Sequence, residues 1–310
     1  MRTVRSIARL RGSAVISLLY VTVLAGTTGC AADPLADLES RLQARIAESG
    51  AEVVGIYFRN LTSGDSVLLD VDSRVHAASM MKVPVMIQLF RDADAGRLSL
   101  DDSLVITKTF ASIVDGTPYE LGAPDDSDST LYARIGEKES IRQLTELMIT
   151  ISSNLATNML IEFVGAERVQ ETMWQLGADS IAVLRGVEDI KAYRAGLNNT
   201  TTARDLGVIS SAIAEHRAAS FESCREMIAI LSRQQFNEGI PAGLPAGTLV
   251  AHKTGSITEI RHDGGVVYLE DDAAYVLVVL TKGIADSAVA DQLIADISRT
   301  VYETVTRPSA

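Results

Sequence analysis

Val53-Val54-Gly55-Ile56-Tyr57-Phe58 is a run of β-branched and aromatic strand formers close to the start of the chain. A turn-forming stretch, Leu61-Thr62-Ser63-Gly64-Asp65, separates it from a second strand, Ser66 to Val71, so the two read as a hairpin. The remaining strand patterns stand at the far end of the chain. Thr248 to Lys253, Gly265 to Leu269 and Ala274 to Thr281 are β-branched and apolar, with acidic turns between them. Residues 80–235 are mostly helical in pattern: Ile141–Ile151, Ala156–Phe163 closed by Gly165, Glu167–Leu176 stopped by Gly177, Thr202–His216 and Glu222–Gln234. Helices also flank the strands. Leu35, Leu38, Leu42 and Ile46 recur at helical steps over Asp33–Ser49, with Gly50 as the stop, and a last helix runs from Ala288 to Val305. This order predicts an α/β (α+β) fold in which one sheet is assembled from both ends and an all-helical domain is inserted. Residues 31–78 with 247–310 then form the α/β domain and 79–246 the helical one, with a small-molecule site expected in the cleft between them. Two long irregular stretches, Asp115–Arg134 and Ile181–Thr201, are of a length that is usually functional or mobile inside a compact domain.

The first thirty residues are excluded from that fold. Arg2, Arg5, Arg9 and Arg11 form a basic start, and Gly12 to Cys30 carries no charge, with an apolar centre from Ala14 to Gly26. A spanning helix needs about 20 strongly apolar residues, so this shorter run reads as an export signal. Its end, Gly26-Thr27-Thr28-Gly29-Cys30, resembles a bacterial lipoprotein signal in which Cys30 is lipidated, although Thr27 stands where leucine is usual. The expected product is an exported protein, either membrane-anchored through that lipid or free in the periplasm or medium. Removing the segment leaves 24 basic residues against 40 acids, a net charge of −16 that repels phosphate backbones and argues against a nucleic-acid partner. Cys224 would then be the one remaining thiol, so no internal disulfide is expected.

Ser79-Met80-Met81-Lys82 is predicted to open a helix after an extended stretch. Positions i and i+3 share a helical face, so the Ser79 hydroxyl and the Lys82 amine can meet. A poised lysine could take the serine proton, and a serine at a helix N-terminus lies where N–H groups favour a developing oxyanion. Alone, Ser-x-x-Lys is a weak signal, since a capping serine and a solvated lysine give the same four residues. Two further elements add weight. His252-Lys253-Thr254-Gly255-Ser256 ends a predicted strand and offers a cation, a hydroxyl and approachable backbone to a carboxylated acyl substrate. Ser152-Ser153-Asn154, between two helices, can project a hydroxyl and an amide into a cleft.

In this order, these elements resemble the class A β-lactamases and the related penicillin-binding proteins. The resemblance covers nearly all of the chain after residue 30 and implies an antiparallel sheet flanked by the terminal helices, beside an inserted helical domain. It implies that Ser79 is the nucleophile and that Lys82 assists its deprotonation. Ser152 would relay a proton to the leaving nitrogen, Asn154 would bind the acyl side-chain amide, and Lys253 and Thr254 would hold the substrate carboxylate. The N–H groups of Ser79 and Ser256 would form the oxyanion hole beside Gly255. No cofactor and no metal is implied, and the partner is a small β-lactam or related acyl compound.

Two departures stand out. The middle motif of the family reads Ser-Asp-Asn, and here Ser153 replaces the aspartate. The deacylating loop of the family reads Glu-x-x-Leu-Asn, whereas this chain has Glu188-Asp189-Ile190-Lys191-Ala192. Glu188 falls at the spacing of the family's glutamate and is the expected deacylating base, with Asp189 the fallback. The asparagine is missing, and Asn198 or Asn199 is the candidate substitute. An α/β-hydrolase is excluded by the absence of a Gly-x-Ser-x-Gly elbow, and the histidines 76, 216, 252 and 262 show no metal-ligand spacing. His252 is expected to pack on its strand rather than act as a base. The rival readings share the fold: a penicillin-binding or esterase-like enzyme that deacylates slowly, and a weakly catalytic lipoprotein that binds cell-wall peptide.

Overall fold

The computed structural model describes residues 33–270 and 273–307. The signal segment and Cys30 lie outside them. The strands predicted near the two ends join in one antiparallel sheet. Its members are β1 (Val53–Asn60), β2 (Ser66–Leu69), β9 (Leu249–Ile257), β10 (Ile260–Tyr268) and β11 (Ala274–Lys282), in the order β2-β1-β11-β10-β9. Short two-stranded pairs join β3 (Val75–His76) to β8 (Thr200–Thr201), β4 (Ser103–Val105) to β7 (Lys138–Ser140), and β5 (Thr109–Ala111) to β6 (Pro118–Glu120). β1 and β11 pair from Val53↔Lys282 to Asn60↔Tyr275, which makes the last strand of the chain the centre of the sheet. Its apolar run shows no alternation because neither face meets water. Tyr275, Leu277 and Val279 enter one core, and Val276, Val278 and Leu280 the other. β2, at the edge, alternates between exposed and buried residues.

Two helices cover the first face. α1 (Pro34–Ser49) is capped by the Asp33 carboxylate, which accepts the Leu35 N–H, and ends at Gly50, whose φ of 67° a residue without Cβ adopts freely. With α9 (Ser287–Val305) it supplies Leu38, Leu42, Ile294 and Ile297 against Ile56, Phe58, Leu277 and Val279. The other face shares one core with the inserted helices α2 (Lys82–Asp94), α3 (Ile141–Thr150), α4 (Asn154–Val164), α5 (Ala166–Leu176), α7 (Ala203–Ala214) and α8 (Phe221–Leu231), while the short α6 (Ile190–Arg194) lies outside that core. From Lys82 to Phe90 every residue of α2 is buried, the property of a helix at the centre of its layer. This is the mixed α/β (α+β) architecture with an antiparallel sheet that the strand order implied.

Two strand boundaries differ from the sequence reading. β10 begins at Ile260 rather than Gly265, because the polar residues His262 and Asp263 are buried with hydrogen-bond partners instead of forming a turn. β9 runs on to Ile257, which puts Thr254, Gly255 and Ser256 on the strand itself.

Candidate active site

Ser79 sits in a strained turn. Ala78 holds a left-handed φ of 46°, and residues 78–81 form a 3₁₀ turn that continues directly into α2. Ser79 therefore precedes the α-helix rather than opening it. In 3₁₀ geometry residues three apart eclipse, so Lys82 keeps to the side of Ser79. The turn is tied on both sides: the Ala78 N–H donates to His76 Nδ1 at 3.0 Å, and the Ala77 N–H to the Asn199 carbonyl at 2.9 Å.

Lys82 is fully buried at the start of α2, and its amine finds three acceptors. Nζ donates to the Ser152 carbonyl at 2.6 Å, to Ser152 Oγ at 3.1 Å and to Asn154 Oδ1 at 3.0 Å. Lys253, fully buried on β9, donates to the same Ser152 Oγ at 3.0 Å and to the Thr254 carbonyl at 2.8 Å. One serine hydroxyl thus bridges two lysine amines. Burial brings the Lys82 amine down to about 7, against the opposing influence of Asp126 and Glu188. Burial, with Lys82 nearby, also holds Lys253 well below the ordinary lysine range, while Asp263 opposes it. The shared hydroxyl is placed to pass a proton between the two amines.

β9 is the edge strand on this side, and its Thr254, Gly255 and Ser256 line a cleft of about 810 Å³ together with Ser79, Ser152, Asn154 and Glu188. A Cβ on Gly255 would come to 3.0 Å of Met80 Cγ and 3.3 Å of the Ala78 Cβ, so any side chain here would press on the Ser79 turn and push its neighbours by a few tenths of an ångström. Across the hairpin Arg261 pairs with Ser256 and also lines the cleft, its guanidinium 3.5 Å from Asp291 Oδ2, adding a cation that the sequence reading missed. A two-residue turn at Thr258-Glu259 fixes that pairing and could have revealed it. His252 is buried under β9, with Nδ1 2.7 Å from Asp263 Oδ1 and Nε2 3.2 Å from Asn237 Oδ1, as a packing residue should be.

The 181–201 segment closes on itself. Ala182 and Thr200 form an antiparallel bridge, and the Asn199 side chain accepts from the Leu184 N–H at 2.8 Å and the Arg185 N–H at 3.2 Å while donating to the Arg185 carbonyl at 2.8 Å. Asn199 is thereby committed to the loop backbone at both ends of its amide, and Asn198 Oδ1 accepts from the Arg185 guanidinium at 3.1 Å. From α4, Asn158 clamps Val187, accepting its N–H at 2.6 Å and donating to its carbonyl at 3.0 Å. Glu188, next in line, lines the cleft with an exposed side chain and a φ of 60°. Asp189 is buried and caps α6. Its carboxylate accepts from Ser112 Oγ at 2.9 Å, the Ile113 N–H at 3.0 Å and the Ala192 N–H at 3.0 Å. The fallback carboxylate is therefore occupied in holding the loop, whereas Glu188 faces the cleft. Among the described residues six non-glycines have positive φ, and three of them, Ala78, Ser152 and Glu188, line this one cleft. Strain of that kind persists where surrounding contacts over-determine it, as at a preorganised site.

A nucleophile candidate, two buried amines sharing a relay hydroxyl, a strand edge and a cleft-facing carboxylate are the parts of a serine acyl-transfer site. Among the described residues no cluster of His, Cys, Asp and Glu is placed to hold a metal ion. The chain belongs to the β-lactamase enzyme family, whose model matches residues 37–305. A β-lactamase of Streptomyces albus G is 26% identical over 96% of this chain and 96% of its own. Among solved structures, that of PBP-A is 28% identical with a TM-score of 0.76, covering 89% of this chain and 98% of that one. The extended-spectrum β-lactamase TLA-1, at 20% identity and a TM-score of 0.78, shares the fold over 89% of this chain and all of its own.

Proposed function

We propose that this chain is a serine β-lactamase of the class A type, acylated at Ser79. The observation that carries the reading is the Ser152 hydroxyl held between Lys82 and Lys253 in the cleft that Ser79 lines. Lys82, close to neutral, takes the Ser79 proton as the hydroxyl attacks the lactam carbonyl. Lys82 hands that proton on to Ser152 Oγ as Ser152 gives its own to the departing lactam nitrogen, so that nitrogen leaves as an amine rather than an anion. Asn154 receives the acyl side-chain amide. Lys253, Thr254 and Arg261 receive the substrate carboxylate, whose charge favours the protonated form of Lys253 that burial opposes. The N–H groups of Ser79 and Ser256 hold the oxyanion, with Gly255 allowing the close approach of strand and turn. Glu188 then activates water against the acyl ester. A fluorescent penicillin tests the reading: label that appears on the protein and then decays is expected. Label that persists would make the chain a penicillin-binding acylase, and none at all a peptide-binding protein.

Residues 1–30 are proposed as the export signal, with Cys30 lipidated as the anchor. Support comes from the basic start, the short uncharged run and the small residues before the cysteine. Among the described residues no helix is long and apolar enough to cross a membrane. Membrane-fraction protein is expected to begin at Cys30 with a mass increased by the lipid. A Cys30→Ser protein that stays with the membrane, or an unmodified N-terminus there, would refute this anchor.

A further inference from the structure

Asp126 belongs to none of the recognised motifs, and in sequence it reads as one of several acids in a solvated turn, Asp125-Asp126-Ser127-Asp128. Its carboxylate nevertheless reaches into the site. Oδ1 accepts the Asn154 N–H at 2.8 Å and Oδ2 the Leu155 N–H at 2.8 Å, at the first turn of α4. Tyr132 Oη donates to Oδ2 at 2.9 Å, and the Asp128 N–H to Oδ1 at 3.2 Å. The first N–H groups of any helix lack intrahelical partners. Here Ser153, in the position where the family carries aspartate, accepts only from the Ala156 N–H, at 3.3 Å. A carboxylate from 28 residues upstream takes the two N–H groups that the serine leaves. One of them belongs to Asn154, whose own Oδ1 accepts from Lys82 Nζ at 3.0 Å and whose Nδ2 donates to the Asp125 carbonyl at 3.4 Å.

We infer that Asp126 is a positioning residue of the acyl-transfer site: from a separate loop it fixes Asn154, and through it Lys82, and it sets a negative charge behind the Lys82 amine. The inference rests on the reading of Ser79 and Lys82 as nucleophile and base. Around Lys82 the charged groups are Asp126, Glu188 and Lys253, with Arg185 beside Glu188; around Asp126 they are Asp125, Asp128 and the Tyr132 phenol. A negative charge near the amine favours its protonated form, so Asp126 keeps Lys82 from falling further below neutrality. Without that charge, Lys82 would lose its proton at lower pH and become a competent but weaker base.

The test is the rate of penicillin adduct formation as a function of pH, read by intact-protein mass, for wild type, Asp126→Asn, Asp126→Glu and Tyr132→Phe. Wild-type acylation is expected to rise with pH through a limb near the Lys82 value of about 7, because only the neutral amine accepts the serine proton. Asp126→Asn removes the charge and presents an NH₂ where one N–H needs an acceptor. Its plateau is expected to drop roughly ten- to hundredfold, with the limb moved to lower pH. Tyr132→Phe deletes a hydrogen bond but keeps the charge, so its limb stays with wild type. Asp126→Glu keeps the charge on a longer arm, so it lowers the plateau and leaves the limb in place. The position of the limb does not depend on how much of a variant is folded, so partial unfolding cannot imitate the shift. An Asp126→Asn limb coincident with wild type would overturn the inference while leaving Ser79 and Lys82 in their roles. A wild type that forms no adduct at any pH would overturn both.

Discussion

Ser79→Ala is expected to form no covalent adduct with penicillin, and its hydrolysis of a chromogenic β-lactam should fall by roughly 10⁴- to 10⁶-fold. The basis is the dependence of every other group in the cleft on an attacking oxygen. In the proposed mechanism Ser152 relays a proton and Lys253 binds a carboxylate, but neither replaces the nucleophile. Ser79 is partly exposed in its turn, so removing one oxygen leaves the core intact and the loss reads as chemistry. Lys82→Ala is a harsher change. It leaves the Ser152 carbonyl and Asn154 Oδ1 without their buried donor and Ser152 Oγ with Lys253 alone, and its slow acylation must be read beside a melting curve. The decisive measurement is intact-protein mass after exposure to penicillin. An adduct on Ser79→Ala would move the nucleophile to another cleft hydroxyl, such as Ser127, Thr254 or Ser256.

Glu188→Ala is expected to do the reverse: acylation proceeds and the adduct stays. A positioned base contributes roughly 10²–10⁴-fold to a hydrolytic step, and the acyl-enzyme should live longer by that factor. Asp189→Ala supplies the contrast. Its carboxylate holds Ser112, Ile113 and Ala192 rather than the cleft, so its loss should lower thermal stability as well as loosen the loop. Glu188→Ala should melt with wild type. Equal adduct lifetimes in Glu188→Ala and wild type would remove Glu188 from the mechanism. Wild-type deacylation itself should be slow. Ala192 stands where the family has asparagine and is buried with no polar side chain, and the Asn199 amide is committed to the loop backbone.

Local pattern carried much of the architecture. The strand-forming runs of β1 and β11, the stripe of α1 and the glycines that end helices each follow from short-range propensity and burial. The candidate site was legible where its members are contiguous, as with Ser79 to Lys82 and Lys253 to Ser256, which the fold brings to one cleft or its floor. It was illegible where the acting group is contiguous with nothing. Asp126 and Arg261 matter through partners on another loop or strand, and Asn158 through a loop 29 residues onward. Arg261-His262-Asp263 looked like a turn because buried polar residues defeat an apolar pattern. His262 can be buried because its ring donates from Nε2 to the His76 carbonyl and accepts the Thr281 N–H at Nδ1, and burial carries it down to about 4. The 3₁₀ turn at Ser79 escaped for a different reason: a left-handed alanine is set by tertiary contact, and no propensity announces it.

The pairing of β1 with β11 also sets a schedule for the newborn chain. Val53 meets Lys282, and Asn60 meets Tyr275, so the first strand made waits for the last. At ~5–20 residues per second, the intervening residues take roughly 10–45 s to synthesise. Through that interval β1 and β2 can pair only with each other, as a hairpin with α1 on one face, and a two-stranded sheet is marginal in water. Ser79, Lys82, Ser152 and Glu188 can all have left the ribosome before Lys253 exists. Neither the sheet nor the two-lysine bridge can close until β11 and Lys253 have been made.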